Sequence, residues 1–400
     1  MTWLWFWWII GSLAVVMDVT WWVVALRLTK RGLWRILISA FLAAQLTAQL
    51  SLMTGFVSSR NLPKIVLVSI VVWHFFAVAC GLVLLLALGI IRACAWIVRV
   101  IGLLRNRPRA TPAGANSMSR RQFFGAAAAL TPPLFTVGLT GVALAQLNSF
   151  RVRRFTLSIP TLPRVLDGIT IVHVSDVHVG RYTRGQVLRD MVNTTNALRP
   201  DLVVMTGDLI DYSLDDLSEG ISLMKAMEGR YGTWMIEGNH DLLDDHAAFE
   251  QRVKASGIPL LLDESAVANV RGYPVQLFGL SWVGTGTGNN LLRDQTTALQ
   301  MHRLMKQRQP DAFPILLAHH PHAFDAAVKA DLPLTLAGHT HGGYAMLDSQ
   351  HGLGPALFRY WSGLYTQGHS QMIVSNGIGN MFPIRINAPA ELVHITLRCA

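Results

Sequence analysis

The first 150 residues consist largely of long apolar runs separated by short basic segments. Three of these runs cover residues 3–26, 34–57 and 65–91, and each reaches the roughly 20 residues that cross the hydrocarbon core of a bilayer. A fourth run, over residues 123–147, is more weakly apolar. The pattern predicts a transmembrane region of three helices over residues 1–104 and a fourth apolar segment within residues 123–150.

After residue 150 the pattern changes to short apolar runs that alternate with helical segments. The runs have the length of buried strands, and each ends in Gly, Ser, Asp or His: ITIVHVS, DLVVMTG, YGTWMIEG, FPILLAHH and LPLTLAGH. Helices are predicted near residues 186–198, 217–228, 247–256 and 291–307, and a hairpin over residues 267–282. Buried strands followed by helices indicate an α/β domain over residues 151–400, and the hairpin indicates mixed sheets.

The basic residues lie beside the membrane-type runs. Residues 1–150 contain thirteen Lys or Arg and one acidic residue, Asp18, whereas residues 151–400 contain 21 basic and 23 acidic residues. A nucleic-acid site would instead place its basic patch on a folded soluble surface. We therefore predict a lipid bilayer as a partner of this chain, and no nucleic acid.

The distribution of positive charge among the loops predicts the orientation in the membrane. Four Lys or Arg lie at the connection after the first run, two after the second, and seven after the third with no acidic residue among them. By the positive-inside rule the first and third connections are cytoplasmic. The chain is therefore predicted to be a multi-pass protein of the cell inner membrane, with residues 151–400 on the periplasmic, extracytoplasmic side.

Residues 105–122 form a predicted basic cytoplasmic linker that ends in a twin-arginine motif. The sequence SRRQFF at 119–124, followed by a weakly apolar stretch, resembles a twin-arginine export signal, and ALA at 143–145 resembles a signal-peptidase site. The alternative is an ordinary fourth transmembrane helix with cytoplasmic arginines. Both alternatives place the following domain outside the cytoplasm, but only the first makes the twin-arginine translocase a partner.

Two polar residues lie inside the predicted spans. Asp18 is in the first run and His74 is in the third, where ionisable side chains are costly and often functional. The preferred interpretation of both is an interfacial position or a hydrogen bond between helices.

Carboxylates, imidazoles and one amide recur directly after the predicted strands of the second half. The five clusters are SDVHVG with Asp176 and His178, TGDLID with Asp208 and Asp211, EGNHD with Asn239, His240 and Asp241, LAHHPH with His319, and GHTHGG with His339 and His341. Ligands of α/β folds bind beyond the carboxyl ends of the strands, and side chains at i and i+2 point to one side of an extended backbone. Such donors, without thiolates, suit divalent ions such as Mn, Fe or Zn.

In this order the clusters resemble the motifs of the calcineurin-like metallophosphoesterases: D-x-H, G-D-x-x-D, G-N-H-D, H and G-H-x-H recur across about residues 165–397. The closer similarity is to the bacterial membrane-associated or exported branch of YkuE-like and YaeI-like proteins, through LLAHHP, GHTHGG, SGLY and PIRINAPAELVHITL. The resemblance implies a two-layer mixed β-sandwich flanked by helices, with two divalent metal ions at its rim.

The resemblance also implies a role for each motif residue. One metal is bound by Asp176, His178 and His341, the other is bound by Asn239, His319 and His339, and Asp208 bridges both. His240 is then a catalytic imidazole that stabilises the transition state or protonates the leaving oxygen. Asp211 and Asp241 are candidates to orient a neighbouring imidazole, with a helix-capping or solvated role as the alternative for each.

These expectations describe a membrane-anchored, metal-dependent phosphoric ester hydrolase that acts outside the cytoplasm on a phosphodiester or lipid-linked phosphate. A tethered enzyme with a soluble substrate is one alternative, and a non-hydrolytic membrane sensor or transporter that binds metal or phosphate is another. The segment SWVGTGTGNN at 281–290 departs from the acidic loop expected in this branch, and SNGIG at 375–379 stands where related chains often have an Arg. The sequence therefore identifies neither a substrate-facing basic group nor the substrate.

Overall fold

The computed structural model describes residues 2–29, 32–54, 62–74, 79–103, 120–282 and 290–400. Most of the predicted basic linker and the centre of the SWVGTGTGNN segment lie outside the described residues, as does Ser119 of the twin-arginine motif. The chain divides into two compact units, Met1–Leu144 and Ala145–Ala400.

The described part of the N-terminal unit is helical. Its helices are α1 (Thr2–Leu28), α2 (Gly32–Met53), α3 (Lys64–Val72), α4 (Ala79–Leu103) and α5 (Arg120–Gln146). Among the described residues, three segments are long and apolar enough to cross a membrane: Gly11–Leu28, Gly32–Met53 and Gly125–Gln146. The run that we predicted as one third helix is divided between α3 and α4, and residues 75–78 between them lie outside the described residues.

A polar cluster joins α1 to the turn that follows α3. Asp18 is fully buried, and one of its carboxylate oxygens accepts a hydrogen bond from Trp73 Nε1 at 2.5 Å. His74 Nε2 lies 3.1 Å from the other carboxylate oxygen, and His74 Nδ1 lies 2.8 Å from the carbonyl oxygen of Ile70. A hydrogen bond between helices is thus confirmed as the interpretation of Asp18 and His74, since an unpaired polar group in hydrocarbon would cost several kcal/mol.

The C-terminal unit contains two mixed β-sheets. The strands are β1 (Arg151–Ile159), β2 (Thr170–Val174), β3 (Leu202–Thr206), β4 (Thr233–Ile236), β5 (Glu264–Val270), β6 (Tyr273–Gly279), β7 (Phe313–Ala318), β8 (Leu334–Ala337), β9 (Gly363–Gln367), β10 (Ser370–Val374) and β11 (Glu391–Cys399). The first sheet has the order β1-β11-β2-β3-β4 and the second has the order β5-β6-β7-β8-β10-β9. Parallel pairs dominate both, and antiparallel pairs occur at β11 with β2, β5 with β6, and β10 with β9.

The main core lies between the two sheets. Alternate apolar side chains of the first sheet, such as Ile171 and Val204, pack in one cluster with those of the second, such as Leu277 and Ile315. This packing confirms the predicted two-layer sandwich.

Helices cover the outer faces of both sheets. The described α-helices of the C-terminal unit after β1 are α6 (Gln186–Ala197), α7 (Leu217–Ala226), α8 (His246–Ala255), α9 (Asn290–Met305), α10 (Ala323–Lys329) and α11 (Leu353–Leu357), and α6 to α10 cover the sheets. The first three contribute to a core against the outer face of the first sheet, and α9 and α10 contribute to a core against the second. All five apolar runs singled out in the sequence are strands, the predicted hairpin is β5 and β6, and the four predicted helices are α6 to α9.

Candidate metal centre

The sheet topology brings the five clusters to one edge of the sandwich. β2, β3 and β4 are parallel neighbours in the first sheet, and β7 and β8 are parallel neighbours in the second. Each of the five clusters begins at or just beyond the carboxyl end of one of these strands. Because the carboxyl ends of parallel neighbours meet at one sheet edge, loops that are distant in sequence become adjacent there.

The backbone at this edge is left-handed at five of the motif residues, and the extended geometry that we predicted for the i, i+2 pairs is wrong. The φ angle is positive at Asp176 (51°), His178 (47°), Asp208 (57°), His339 (72°) and His341 (48°). Non-glycine residues in this region cost about 1–3 kcal/mol each and persist where the surroundings impose them. The side chains therefore converge through strained turns at the strand ends.

Two glycines allow these turns to approach each other closely. A Cβ atom added to Gly338 would lie 1.9 Å from Ser175 Oγ and 2.3 Å from Asp176 Oδ2. One added to Gly238 would lie 2.2 Å from Asp208 Oδ1. Both positions exclude any larger residue because the neighbouring atoms belong to the buried carboxylates of the site or to a hydroxyl that contacts one of them.

Asp176, His178 and His341 form the first group of donor atoms, and all three are buried. His178 Nε2 and His341 Nε2 lie 3.1 Å apart. Asp176 Oδ1 lies 3.5 Å from His341 Nε2 and 4.0 Å from His178 Nε2. One carboxylate oxygen and two imidazole nitrogens therefore face a common point.

His319, Asn239 and His339 form the second group. His319 Nε2 lies 3.2 Å from Asn239 Oδ1 and 3.2 Å from His339 Nδ1. Asp208 lies between the two groups, because its Oδ2 is 3.2 Å from His319 Nε2 and 3.5 Å from His178 Nε2. The structure thus brings together all seven residues that the resemblance implies as metal ligands.

The charges of the centre are strongly coupled. Burial raises the pKa of Asp208, but the imidazoles of His319 and His240 outweigh it and hold that pKa well below the usual range. Burial lowers the pKa of His319, but the carboxylates of Asp208 and Asp176 outweigh it and raise the pKa to about 9. In the absence of a cation this imidazole therefore holds a proton against Asp208, and metal binding would release that proton.

Hydrogen bonds behind the donors fix their orientation. His319 Nδ1 donates to the carbonyl oxygen of Thr206 at 2.7 Å, so that Nε2 faces the site. The Thr206 hydroxyl donates to Ser175 Oγ at 2.8 Å, and the Ser175 hydroxyl donates to Asp176 Oδ2 at 2.5 Å. Sequence reasoning did not select Ser175 or Thr206, although Ser175 directly follows β2 and Thr206 is the last residue of β3.

His240 lies beside the first group. Its Nδ1 contacts the carbonyl oxygen of Asp211 at 2.6 Å, and its ring packs edge-on against His178 with centroids 4.6 Å apart. The side chain retains 15% exposure, whereas the side chain of His178 has none. His240 also has its main-chain N–H on Asp208 Oδ1 at 2.8 Å.

Asp211 and Asp241 occupy different environments. Asp211 Oδ1 lies 3.7 Å from His178 Nδ1 and 3.8 Å from His240 Nδ1, and burial raises the pKa of its carboxyl group to about 6. Asp241 is fully buried and accepts hydrogen bonds from the backbone N–H groups of Asp208, Gly238 and Ile210 at 2.9–3.0 Å. The Asp241 carboxylate therefore holds the loop after β3 to the loop after β4.

A buried arginine that sequence reasoning missed lies behind His341. Arg385 is 3% exposed and donates to Asn380 Oδ1 at 2.7 Å and to the carbonyl oxygens of Asn376 and Gly379. Its Nη2 also donates to His341 Nδ1 at 3.0 Å. Metal-binding histidines usually donate from this second nitrogen, so a guanidinium donor here is unusual. The guanidinium therefore faces the His341 imidazole from the side opposite the first group of donor atoms.

An aromatic side chain borders the second group. The Trp282 ring centroid lies 5.4 Å from that of His319 and 5.2 Å from that of His339. Trp282 also lines a pocket with His320 and His322, two histidines of the LAHHPH cluster that we did not select as ligands. The pocket gives this side of the centre a mixed aromatic and imidazole wall.

Comparison with known proteins finds the same family in the family match and in the relatives. Residues 169–343 match the family described as calcineurin-like phosphoesterase. The metallophosphoesterase YkuE of Bacillus subtilis is 30% identical over 301 residues, which cover 70% of this chain and 98% of YkuE. A transmembrane protein with metallophosphoesterase domain from Danio rerio is 28% identical, covering 75% of this chain and 68% of its own length. A Campylobacter jejuni metallophosphoesterase is 28% identical, covering 59% of this chain and 61% of its own length.

Proposed function

Because this chain belongs to the calcineurin-like metallophosphoesterase family and is a phosphoester hydrolase, we propose that it uses two divalent cations to hydrolyse a phosphodiester or lipid-linked phosphate. The observation that carries the proposal is the position of Asp208 Oδ2, 3.5 Å from His178 Nε2 and 3.2 Å from His319 Nε2. A carboxylate oxygen between two groups of donors can contact a cation on each side.

The donor set fits such cations. The proposed ligands of one cation are Asp176, His178 and His341, those of the other are Asn239, His319 and His339, and Asp208 is shared. Imidazole and carboxylate donors without thiolates favour Mn, Fe or Zn. The buried His178 Nδ1 accepts and donates no hydrogen bond among the described residues, and burial lowers the pKa of this imidazole well below its usual value. His178 is therefore neutral and able to donate a lone pair.

The cations and the protein side chains have separate roles in the proposed hydrolysis. Divalent cations, when bound, supply Lewis acidity that makes water nucleophilic near neutral pH and offsets the negative charge of a phosphoester. Asp241 holds the loops of β3 and β4 together, and Asp211 keeps the ring of His240 oriented through its carbonyl oxygen. With Nδ1 engaged, His240 Nε2 is the atom that gives a proton to the leaving oxygen.

A hydrolysis assay on the full-length chain in detergent tests the proposal. With Mn²⁺ added, bis-p-nitrophenyl phosphate should be cleaved, and EDTA should abolish the activity. The variant Asp208→Asn should lose activity together with bound metal, because it removes the shared carboxylate. A wild-type protein that binds metal but shows no turnover across a panel of phosphomonoesters and phosphodiesters would support the non-hydrolytic sensor instead.

The chain is associated with the membrane through its apolar helices, and we propose that the hydrolase domain lies on the periplasmic side. The basic loops of residues 1–150 support this orientation. Anchoring of the enzyme to a membrane favours a lipid-linked phosphoester as substrate, which predicts higher kcat/KM for a lipid phosphodiester in mixed micelles than for its water-soluble headgroup analogue. Equal values for the two would favour a tethered enzyme with a soluble substrate.

We further propose that the twin-arginine translocase exports the domain. The motif at Arg120 and Arg121 supports the proposal. Replacing both by Lys should leave the domain in the cytoplasm, as measured by protease protection in spheroplasts. Normal external accessibility of the double variant would instead favour α5 as an ordinary transmembrane helix.

A further inference from the structure

A second set of metal-type side chains lies at the end of β4, separate from the seven residues of the main centre. Glu237 directly follows β4, and His246 and Glu250 lie one turn apart on α8. Each of the three offers one donor atom, and the three donor atoms all lie within 4.8 Å of one another. Glu237 directly precedes the G-N-H-D motif, and His246 and Glu250 lie outside the motifs that the family resemblance covers.

The distances place the imidazole between the two carboxylates. His246 Nε2 contacts Glu250 Oε1 directly and lies 3.8 Å from Glu237 Oε2. Ligand atoms about 2.1 Å from a tetrahedral Zn²⁺ lie about 3.4 Å from one another. The separation of His246 Nε2 from Glu237 Oε2 is therefore close to the spacing that a small cation imposes, whereas the direct contact of His246 with Glu250 is closer than that spacing. A separation of 3.8 Å is too long for a hydrogen bond between His246 and Glu237.

The carboxylate of Glu237 supplies an independent indication of a ligand. The residue is 1% exposed, and its Oε1 accepts a hydrogen bond from the backbone N–H of Trp282 at 3.1 Å. Its Oε2 has no hydrogen-bond donor within the part of the chain that the structure describes. A buried carboxylate oxygen without a partner is costly, and Glu237 Oε2 points towards the imidazole and carboxylate of α8.

We propose that Glu237, His246 and Glu250 form a third metal site, which binds a borderline divalent cation of the Zn²⁺ class. Imidazole nitrogens and carboxylate oxygens are both ligands of Zn²⁺, and three protein ligands leave the fourth position to water. The side chain of His246 is 57% exposed, so the cation enters from solvent and keeps water on that side. The cation satisfies Glu237 Oε2 and ties α8 to the end of β4.

The site is connected to the main centre through one residue. The same Glu237 carboxylate holds the backbone of Trp282, whose ring borders His319 and His339. Glu237 is also two residues before Asn239 in the chain. A cation at this place therefore stabilises the loop after β4 and the position of Trp282 without contacting the substrate.

Metal content of the full-length protein in detergent tests the proposal. Wild-type protein and His246→Gln are stripped with chelator, loaded with Zn²⁺, desalted and measured by plasma mass spectrometry. The variant should bind one equivalent less than wild type, and Glu250→Gln should behave in the same way. His351→Gln is the matched control, because His351 pairs with Asp348 on the surface in a pair that has no buried third donor among the described residues.

The readout is a difference between two proteins, so it does not depend on how many cations the main centre binds. In an Asp208→Asn background, which disables the main centre, His246→Gln should still remove one equivalent and reduce the Zn²⁺-induced rise in Tm. Equal metal content and an equal Zn²⁺-induced rise in Tm for wild type and His246→Gln would overturn the proposal. That result would leave the cluster as an internal ion pair of His246 with Glu250.

Discussion

Replacing His240 by Ala should impair proton transfer to the leaving group far more than it impairs metal binding. His240 Nδ1 contacts the Asp211 carbonyl oxygen at 2.6 Å, which leaves Nε2 as the nitrogen for transfer. The contact that His240 makes with Asp208 uses its main-chain N–H, and this contact survives the substitution. The side chain can therefore be removed while the shared carboxylate keeps its position.

The size of the effect depends on the leaving group. General-acid assistance contributes about 10² to 10⁴-fold, which corresponds to about 2.7–5.4 kcal/mol of transition-state stabilisation. A diester with an unactivated alcohol as leaving group should lose turnover by that factor, because its leaving oxygen needs a proton. A p-nitrophenyl diester should lose less than about tenfold, since p-nitrophenolate leaves without protonation.

The assay compares kcat for a series of leaving groups in wild type, His240→Ala and His240→Gln, with the metal content of each measured in parallel. His240→Gln is a useful control because its amide can still donate to the Asp211 carbonyl oxygen. The donor atoms of His240, His178 and Asp208 lie within 4.8 Å of one another, so a role as metal ligand is the competing hypothesis. Loss of metal with an equal loss for all leaving groups would refute the acid role.

Three further predictions concern the supports of the centre. Gly338→Ala should lower stability by about 1–3 kcal/mol and reduce metal content, because the new Cβ would lie 1.9 Å from Ser175 Oγ; an unchanged calorimetric Tm would contradict it. Arg385→Gln should lower the free energy of unfolding by several kcal/mol, because it leaves buried acceptors unpaired. Denaturant unfolding measures this loss, and the control Arg398→Gln, at an exposed arginine, should lose less than about 1 kcal/mol. In metal-free protein, the carboxylates of Asp208 and Asp176 outweigh burial and raise the pKa of His319 from 6.5 to about 9. The protonated imidazole therefore stabilises the folded state, and this contribution is complete below pH 6.5 and is lost as pH rises through 9. Tm measured with EDTA should therefore fall over that interval, and a rise would contradict the coupling.

The strand pattern allowed most of the C-terminal fold to be predicted. The run DLVVMTG has four consecutive apolar residues, LVVM, because β3 is covered on both faces, and such continuous runs indicate buried strands in α/β domains. The less regular β1 was not selected, because its sequence RVRRFTLSI contains polar residues on both faces. Its pairing depends on a partner more than 200 residues away, which local patterns do not specify.

The motif residues could be selected from the sequence, but their conformation could not. Spacing alone places Asp176 and His178 on one side of an extended chain, whereas tertiary contacts impose a left-handed backbone at both. Arg385 was missed for a similar reason. A single arginine in a loop is expected to be solvated. Its burial here depends on carbonyl groups that only the folded chain places around it.

The parallel pairing of β1 with β11 has a consequence for the biosynthesis of this domain. Arg151 lies opposite Glu391 in the ladder. The fully buried carboxylate of Glu391 forms ion pairs with both Arg151 and Arg153. Loop closure over so long a separation is slow. The strand that follows α5 must therefore remain unpaired until β11 has been synthesised, so a truncation that removes β11 would leave the domain unable to complete its first sheet.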